Sequence, residues 1–167
     1  NGMVFVRGNP LDFERWASYG LPKWSYKNVL PYFKKLETWS GGESLYRGGK
    51  GPLKVNRSKI DEAFPLFKSL IKAAAEAGYD TFEDSNGFKQ DGFGTFDVTI
   101  DNGKRQGVSR AYLNEIKGYK NLSIEHNTDV SKIIFKEKKA IGVEVKRNNH
   151  SEIYYCNKEV ILSSGSI

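Results

Sequence analysis

The sequence has few of the side chains on which most catalytic and metal sites are built. Its 167 residues include one cysteine, Cys156, and two histidines, His126 and His150. A single cysteine excludes an internal disulfide, and neither CxxC nor HExxH occurs, so a zinc site is not expected. The histidines fall at a predicted strand end and a predicted hairpin tip, where no Ser/His/Asp or Cys/His set can be argued. We therefore predict no catalytic residue and no metal ligand in this chain.

Long apolar runs and the usual phosphate-binding motifs are also missing. No stretch approaches the roughly 20 apolar residues that span a bilayer. Neither GxGxxG nor GxxxxGK[ST] occurs, so the glycine-rich stretch 38–59 is interpreted as a mobile flap or a connection rather than a phosphate loop. The carboxylates of Asp84, Asp91 and Asp97 lack the spacing of a calcium loop.

The charge balance is basic, with 26 Lys and Arg residues against 20 Asp and Glu residues and a formal net charge of +6. A basic module that binds nucleic acid or an anionic surface is therefore one alternative. Lysines that alternate with carboxylates, as over residues 132–139, favour a solvated surface instead. The compartment, cytoplasmic or membrane-associated, stays open.

Apolar periodicity predicts four helices in the first part of the chain. They cover residues 12–19, 26–37, 61–77 and 109–116. The predicted N-caps are Ser25, Asp61 and Ser109. Pro31 falls inside the second helix, which predicts a later start near Val29 or Leu30. The third helix has an apolar stripe that we expect to face the core, made of Ala63, Leu66, Phe67, Leu70, Ile71 and Ala74.

Alternation of apolar residues predicts strands in the second part. Residues 95–100 form a half-buried strand, with Asp97 on a polar face that meets solvent or, alternatively, lines a substrate cavity. An antiparallel meander is predicted over residues 122–126, 131–135, 140–145 and 153–156. The apolar run 160–163 is predicted to be a strand buried on both faces. Small residues 163–165 follow it, at a carboxyl end where open α/β sheets bind ligands.

Several short motifs, in collinear order over essentially the whole chain, resemble the glucose–methanol–choline (GMC) oxidoreductase family, choline dehydrogenase-like enzymes above all. These motifs lie at residues 1–8, 24–26, 30–35, 48–53, 91–94, 103–105, 109–113, 140–144 and 160–167. The resemblance implies a FAD-dependent oxidoreductase that acts on the CH–OH group of a choline-like or other primary alcohol or polyol, with hydride transfer to flavin N5. The electron acceptor is left open, and neither nucleic acid nor a membrane span is expected.

The resemblance also implies where the chain belongs in such an enzyme. The fold class is mixed α/β (α+β): part of a FAD-binding Rossmann-like domain with an antiparallel β-meander, plus part of the substrate-binding domain. The chain is expected to be an internal fragment, inactive and weak in FAD binding by itself. The implied divisions are a FAD-domain strand with flavin-covering helices (1–37), a glycine-rich loop or lid (38–59), part of the substrate domain (60–120) and a return to the FAD domain (121–167).

Family roles carry over to few positions. Asn1, Gly2, Met3 and Val4 match the segment that passes the isoalloxazine ring, where backbone groups contact the flavin. The resemblance also implies that Val130 matches the position whose backbone groups meet the adenine. A backbone pair at a strand end can read an adenine edge without a special side chain. Residues 164 and 165 are further, weaker expectations for the same cofactor.

Overall fold

The chain divides into two compact units, Asn1–Lys117 and Gly118–Ile167. The structure, a computed structural model, describes residues 2–59, 62, 64–148 and 150–165. Helices and short strands make up the first unit, and a three-stranded sheet makes up the second. The predicted mixed α/β class is therefore confirmed.

The first unit is built on a four-stranded sheet. Its strands are β1 (Val4–Phe5), β2 (Glu37–Trp39), β3 (Leu53–Arg57) and β4 (Asp97–Val98), in the order β1-β4-β3-β2. β4 pairs antiparallel with both of its neighbours, whereas β2 and β3 run parallel. A small hairpin follows, made of β5 (Ile100–Asp101) and β6 (Lys104–Arg105). The apolar core against β3 contains Leu53, Val55 and Ala111.

Two helices lie between β1 and β2. α1 (Pro10–Ser18) begins at Asn9, whose side chain accepts the N–H of Leu11 at 2.9 Å, with proline at the first helical position. After a 3-10 turn over Pro22–Trp24, α2 spans Tyr26–Leu36. The carboxylate of Glu14 accepts the N–H of Tyr26 at 2.9 Å, so α1 caps α2.

This cap corrects two predictions about α2. Ser25 stands at the N-cap position but makes no side-chain cap hydrogen bond. The predicted start near Val29 or Leu30 is wrong, since the helix begins at Tyr26 and contains Pro31. The Glu14 carboxylate, which belongs to α1, stabilises the first turn of α2. The apolar periodicity within α2 cannot reveal this contact, because the carboxylate belongs to another helix.

The next helix, α3, spans Pro65–Glu76, again with proline at its start. Asp61 and Ala63, part of the predicted helix, lie outside the described residues. The predicted burial of the apolar stripe is wrong, because Leu66, Phe67 and Leu70 are exposed and Ala74 is the buried residue of the helix. An apolar period shows what a helix can bury, but burial also requires a facing surface.

The last helix of this unit is irregular. A π-helical stretch, Ser109–Leu113, continues as the short α4, Asn114–Ile116, which confirms a helix over 109–116. Ser109 does not cap it, since the N-cap position is Val108 and no side-chain cap bond forms. Ala111 points into the core beside β3.

The second unit is an antiparallel meander of β7 (Asp129–Lys136), β8 (Lys139–Arg147) and β9 (His150–Tyr155). These strands confirm three of the four segments predicted for the meander. Glu137 and Asn148, with φ of 56° and 47°, adopt the left-handed conformation that tight hairpin turns require.

Two predicted strands of this unit are wrong. Residues 122–126 and 160–163 have no strand conformation, and Ile161 and Leu162 are exposed. A strand buried on both faces needs paired neighbours, and the described residues supply none for 160–163. Among the described residues, no helix combines the length and apolarity needed to cross a membrane.

Candidate functional site

Residues 2–5, which lead into and form β1, lie at the edge of the sheet and are called the segment below. Asn1, the first predicted flavin contact, lies outside the described residues. Gly2 and Val4 are exposed, and Met3 between them has a φ of 64°. A non-glycine residue in the left-handed region carries strain of about 1–2 kcal/mol, and such residues cluster at functional sites. Met3 is held there because Thr99 donates its backbone N–H to the Met3 carbonyl at 2.8 Å.

One asparagine holds the backbone at the end of this segment. Asn86 is fully buried, and its Oδ1 accepts the Arg7 N–H at 2.6 Å while its Nδ2 donates to the Phe5 carbonyl at 3.0 Å. The Asn86 N–H in turn donates to Asp84 Oδ1 at 2.9 Å. The sequence analysis missed the role of Asn86, because the backbone groups that its side chain binds lie about 80 positions away.

Behind the segment lies a buried charge cluster, made of Arg7, Glu37, Arg47, Arg57, Asp84 and Asp97. Arg47 is its centre. Its guanidinium donates to both oxygens of Glu37, at 2.9 and 3.1 Å, and to Asp84 and Asp97, each at 2.6 Å. Three guanidiniums face three carboxylates, so the cluster is formally neutral.

The outer guanidiniums tie this cluster to the strands. Arg7 Nη2 lies 2.6 Å from Glu37 Oε1, and its Nη1 donates to the Tyr46 carbonyl at 2.5 Å. Arg57 donates to Asp97 at 3.2 Å from the exposed edge of the cluster. The sheet residues on β2, β3 and β4 are therefore linked by charge as well as by backbone hydrogen bonds.

Burial and pairing act against each other on the arginine pKa values. Burial lowers the pKa of Arg47, but hydrogen bonds to Glu37 and Asp97 outweigh it, so this pKa lies above its usual value. Burial lowers the pKa of Arg7, and the charge of Glu37 only partly opposes this effect. Because arginine stays protonated in proteins, the cluster remains ionic, and each charge depends on its partners.

The place of Asp97 reverses an expectation. The polar face of the predicted strand 95–100 is expected to meet solvent or, alternatively, to line a substrate cavity, yet Asp97 is only 1% exposed, whereas Phe96 is 48% exposed. The strand also divides at Thr99 into β4 and β5. The prediction is wrong because Arg47 and Arg57 neutralise the carboxylate inside the unit, which alternation alone cannot indicate.

The glycine-rich stretch 38–59 includes β3 and most of β2, and its residues 40–52 connect these two strands and pack closely on α2. Gly48 donates its N–H to Glu37 Oε1 at 2.9 Å, and its carbonyl accepts the Trp39 N–H at 2.9 Å. A Cβ at Gly48 would collide with the Lys34 carbonyl, and one at Gly51 with the backbone of Glu37. The stretch thus forms a connection in this structure, and its role as a lid stays a prediction.

The second unit contains its own cleft, with a volume of about 620 Å³. Val130, the predicted adenine contact, lies on β7 and is 60% exposed. The structure brings it to the same cleft as Ser163 and Ser164, residues at which the sequence analysis expected a ligand. Apolar side chains of β8, β9 and the irregular 160–162 run complete the lining.

Both histidines are exposed residues of the second unit. Within the described ranges, no group of three or more His, Cys, Asp or Glu side chains converges as a metal site would require. The start of the first unit can present backbone groups, and the second unit can shape a cleft.

Curated choline dehydrogenases match this chain over its full length. Mitochondrial choline dehydrogenase of Homo sapiens is 45% identical over 167 residues, which are the whole of this chain and 28% of that protein. Oxygen-dependent choline dehydrogenase of Photobacterium profundum is 41% identical over 167 residues, the whole chain and 29% of that protein. The chain thus spans less than a third of the length of these relatives.

Solved structures share the fold. Pyridoxine 4-oxidase from Mesorbium loti matches with a TM-score of 0.84 and 27% identity over 93% of this chain and 31% of that one. A formate oxidase matches with a TM-score of 0.81 and 26% identity over 99% of this chain and 30% of that one. A family model described as GMC oxidoreductase matches residues 1–167. The resemblance seen in the motifs is confirmed, and the chain belongs to the GMC oxidoreductase family.

Proposed function

We propose that this chain forms part of a FAD-dependent oxidoreductase that oxidises the CH–OH group of a choline-like alcohol. The observation that carries the proposal is the identity of 41–45% with choline dehydrogenases over the whole chain. When bound, FAD accepts a hydride at its N5 atom. In this proposal, the residues of this chain bind and orient the cofactor. The acid–base groups belong to the rest of the enzyme.

The flavin end is assigned to Asn1, Gly2, Met3 and Val4. Gly2 has no side chain in front of the backbone, and a Cβ there would meet only a Val4 methyl group, at 4.0 Å. The strained Met3 and the exposed Val4 continue the backbone of this segment. These features support a close approach between backbone and isoalloxazine.

The adenine end is assigned to Val130. Ser164 lines the same cleft, and Gly165 follows Ser164 in sequence. A cleft lined largely by apolar and small side chains suits a flat aromatic base. The exposure of Val130 at the start of β7 leaves room for a base at this strand end. The family resemblance supports backbone recognition there.

The divisions of the chain follow from the same proposal. Residues 1–37 and 121–167 belong to the FAD-binding domain, residues 38–59 are a connecting loop that acts as a lid, and residues 60–120 belong to the substrate domain. The alcohol is the small-molecule partner. The relatives include oxygen-dependent choline dehydrogenases. The electron acceptor of this protein is to be identified by experiment.

The test uses the enzyme that contains this chain, purified and treated with choline without oxygen. We expect one FAD per protein and loss of the flavin absorbance when choline is added. Gly2→Val should reduce kcat/KM for choline by about tenfold, because misplacement of the cofactor by a fraction of an ångström slows reaction steeply. A protein without flavin, or flavin that choline leaves oxidised, would contradict the proposal.

The matched control is Gly107→Ala. A Cβ at Gly107 has open space around it, and this residue is not assigned to the cofactor. A Cβ at Gly2 also makes no close contact with the described residues, so the fold accommodates Gly2→Val. A loss confined to Gly2→Val would therefore come from the bound cofactor rather than from the fold, and equal losses in both variants would remove the flavin assignment.

A further inference from the structure

The segment assigned to the flavin is held by a sheet on only one edge. β1 pairs with β4, and it is the outermost strand of its sheet. Where the pairing with β4 ends, the side-chain amide of Asn86 bonds to the Phe5 carbonyl and the Arg7 N–H. A carbonyl and the N–H two residues later point to the same edge of a strand, which is where a neighbouring strand would bond. Asn86 therefore bonds this backbone as a neighbouring strand would, at the point where β4 no longer does.

We infer that Asn86 is a positioning residue for the cofactor, because its buried amide sets the place of residues 2–5 against the flavin. The inference rests on the proposed function. Asn86 does not reach the exposed face of the segment, and it acts through the backbone of Phe5 and Arg7. One donor and one acceptor are needed at once, which an amide supplies and an isosteric carboxylate or alkyl group does not.

Asn86 is itself fixed by the buried charge cluster. Asp84 accepts the Asn86 N–H at 2.9 Å and the Arg47 guanidinium at 2.6 Å through the same oxygen. Arg7, whose N–H the amide binds, is anchored on Glu37 at 2.6 Å. The cluster therefore controls where the segment lies, in addition to any contribution it makes to stability.

The test compares Asn86→Asp and Asn86→Leu in the FAD-loaded enzyme that contains this chain. Asn86→Asp keeps the acceptor for Arg7 but loses the donor to Phe5, and Asn86→Leu loses both. We expect a shifted flavin absorbance band and flavin reduction by choline slowed about tenfold or more, with KM changed little. Asn86→Asp is the milder change and keeps the test possible where Asn86→Leu does not fold.

Ala74→Gly is the control. It weakens α3 in the same unit, and this helix makes no contact assigned to the cofactor segment. A residue with only a structural role would lower the unfolding midpoint as the control does and leave the flavin band and the reduction rate alone. That result in a folded, FAD-loaded Asn86→Asp enzyme would overturn the inference.

Amide hydrogen exchange separates this inference from the proposed function. The Arg7 and Thr99 amides report the two bonds that hold the segment, to Asn86 and to the Met3 carbonyl. Exchange of Arg7 should rise in Asn86→Leu and stay slow in Asn86→Asp and Ala74→Gly. If the enzyme carries no FAD, the proposed function fails, and unchanged exchange of Arg7 in Asn86→Leu would still refute the positioning role.

Discussion

The two units of this chain are stabilised in different ways. In the first, most of the largest fully buried side chains are polar or charged, namely Glu37, Arg47, Asn86 and Asp97, beside Val55. In the second, backbone hydrogen bonds of a meander carry the structure, and Val145 is buried at 3% exposed. Buried charges demand particular partners, whereas a ladder tolerates many side chains. Single substitutions should therefore damage the first unit far more than the second.

The chain has a natural probe for this contrast. All three tryptophans, Trp16, Trp24 and Trp39, belong to the first unit. Arg47 stacks on the Trp39 ring with its guanidinium carbon 4.3 Å from the ring centre. Tryptophan fluorescence in urea thus follows the first unit, and amide exchange along β7–β9 follows the second.

The largest effect is expected for Arg47→Met. Removal of the central guanidinium leaves the carboxylates of Glu37, Asp84 and Asp97 buried without their shared partner. The free energy of unfolding of the first unit should fall by about 3–5 kcal/mol, as for other broken buried ion pairs. Urea titration followed by tryptophan fluorescence measures this loss.

An exposed pair provides the control for that prediction. Arg15 lies 3.6 Å from Asp12 on the surface of α1, and both side chains are more than half exposed. Arg15→Met should cost less than about 1 kcal/mol. Similar losses for the two arginines would show that burial of the charge cluster adds nothing, and the contrast between the units would lose its basis.

A smaller effect is expected for Val145→Ala in β8. The substitution removes two buried methyl groups, which costs about 2 kcal/mol in transfer and cavity terms. The loss should appear as faster amide exchange in β7–β9, while tryptophan fluorescence keeps its urea midpoint. Lys146→Ala, at the exposed neighbouring position, should leave both measurements unchanged. A shift of the tryptophan transition would mean that the two units do not unfold separately.

The smallest expected effect is an increase in the stability of the second unit. Glu137 closes the β7–β8 hairpin in the left-handed region, which asparagine adopts more readily. Glu137→Asn should stabilise the second unit by about 0.5 kcal/mol, measured by exchange at β8. The reverse change at the next hairpin, Asn148→Glu, should destabilise by a similar amount, and equal signs for the two swaps would contradict the conformational reason.

Local signals predicted much of the fold. Periodicity predicted a helix over residues 12–19, where α1 lies, and alternation located β7, β8 and β9, because periods and pleats depend on neighbours in sequence. Predictions that depended on a facing surface were wrong, as for the apolar stripe of α3 and the run 160–163. In both cases the pattern described the segment correctly but contained no information about what packs on it.

The candidate site was predictable only in part. Gly2, Met3, Val4 and Val130 came from resemblance to a family, since no side-chain chemistry distinguishes them. The charge cluster went unseen because its members are spread between residues 7 and 97, and each has an ordinary local role. Glu37 ends a predicted helix and Asp97 alternates in a predicted strand, so the partners that bury them become visible only in three dimensions.

The bond from Thr99 to Met3 has a consequence for how the protein is made, since its two residues are 96 positions apart. The entropy of closing a loop grows with its length, so such a contact forms late compared with a hairpin like β7–β8. The segment assigned to the flavin is therefore the last part of its sheet to close. If FAD binds there as proposed, it favours the closed form by mass action, and folding yield should then rise with cofactor supply during synthesis.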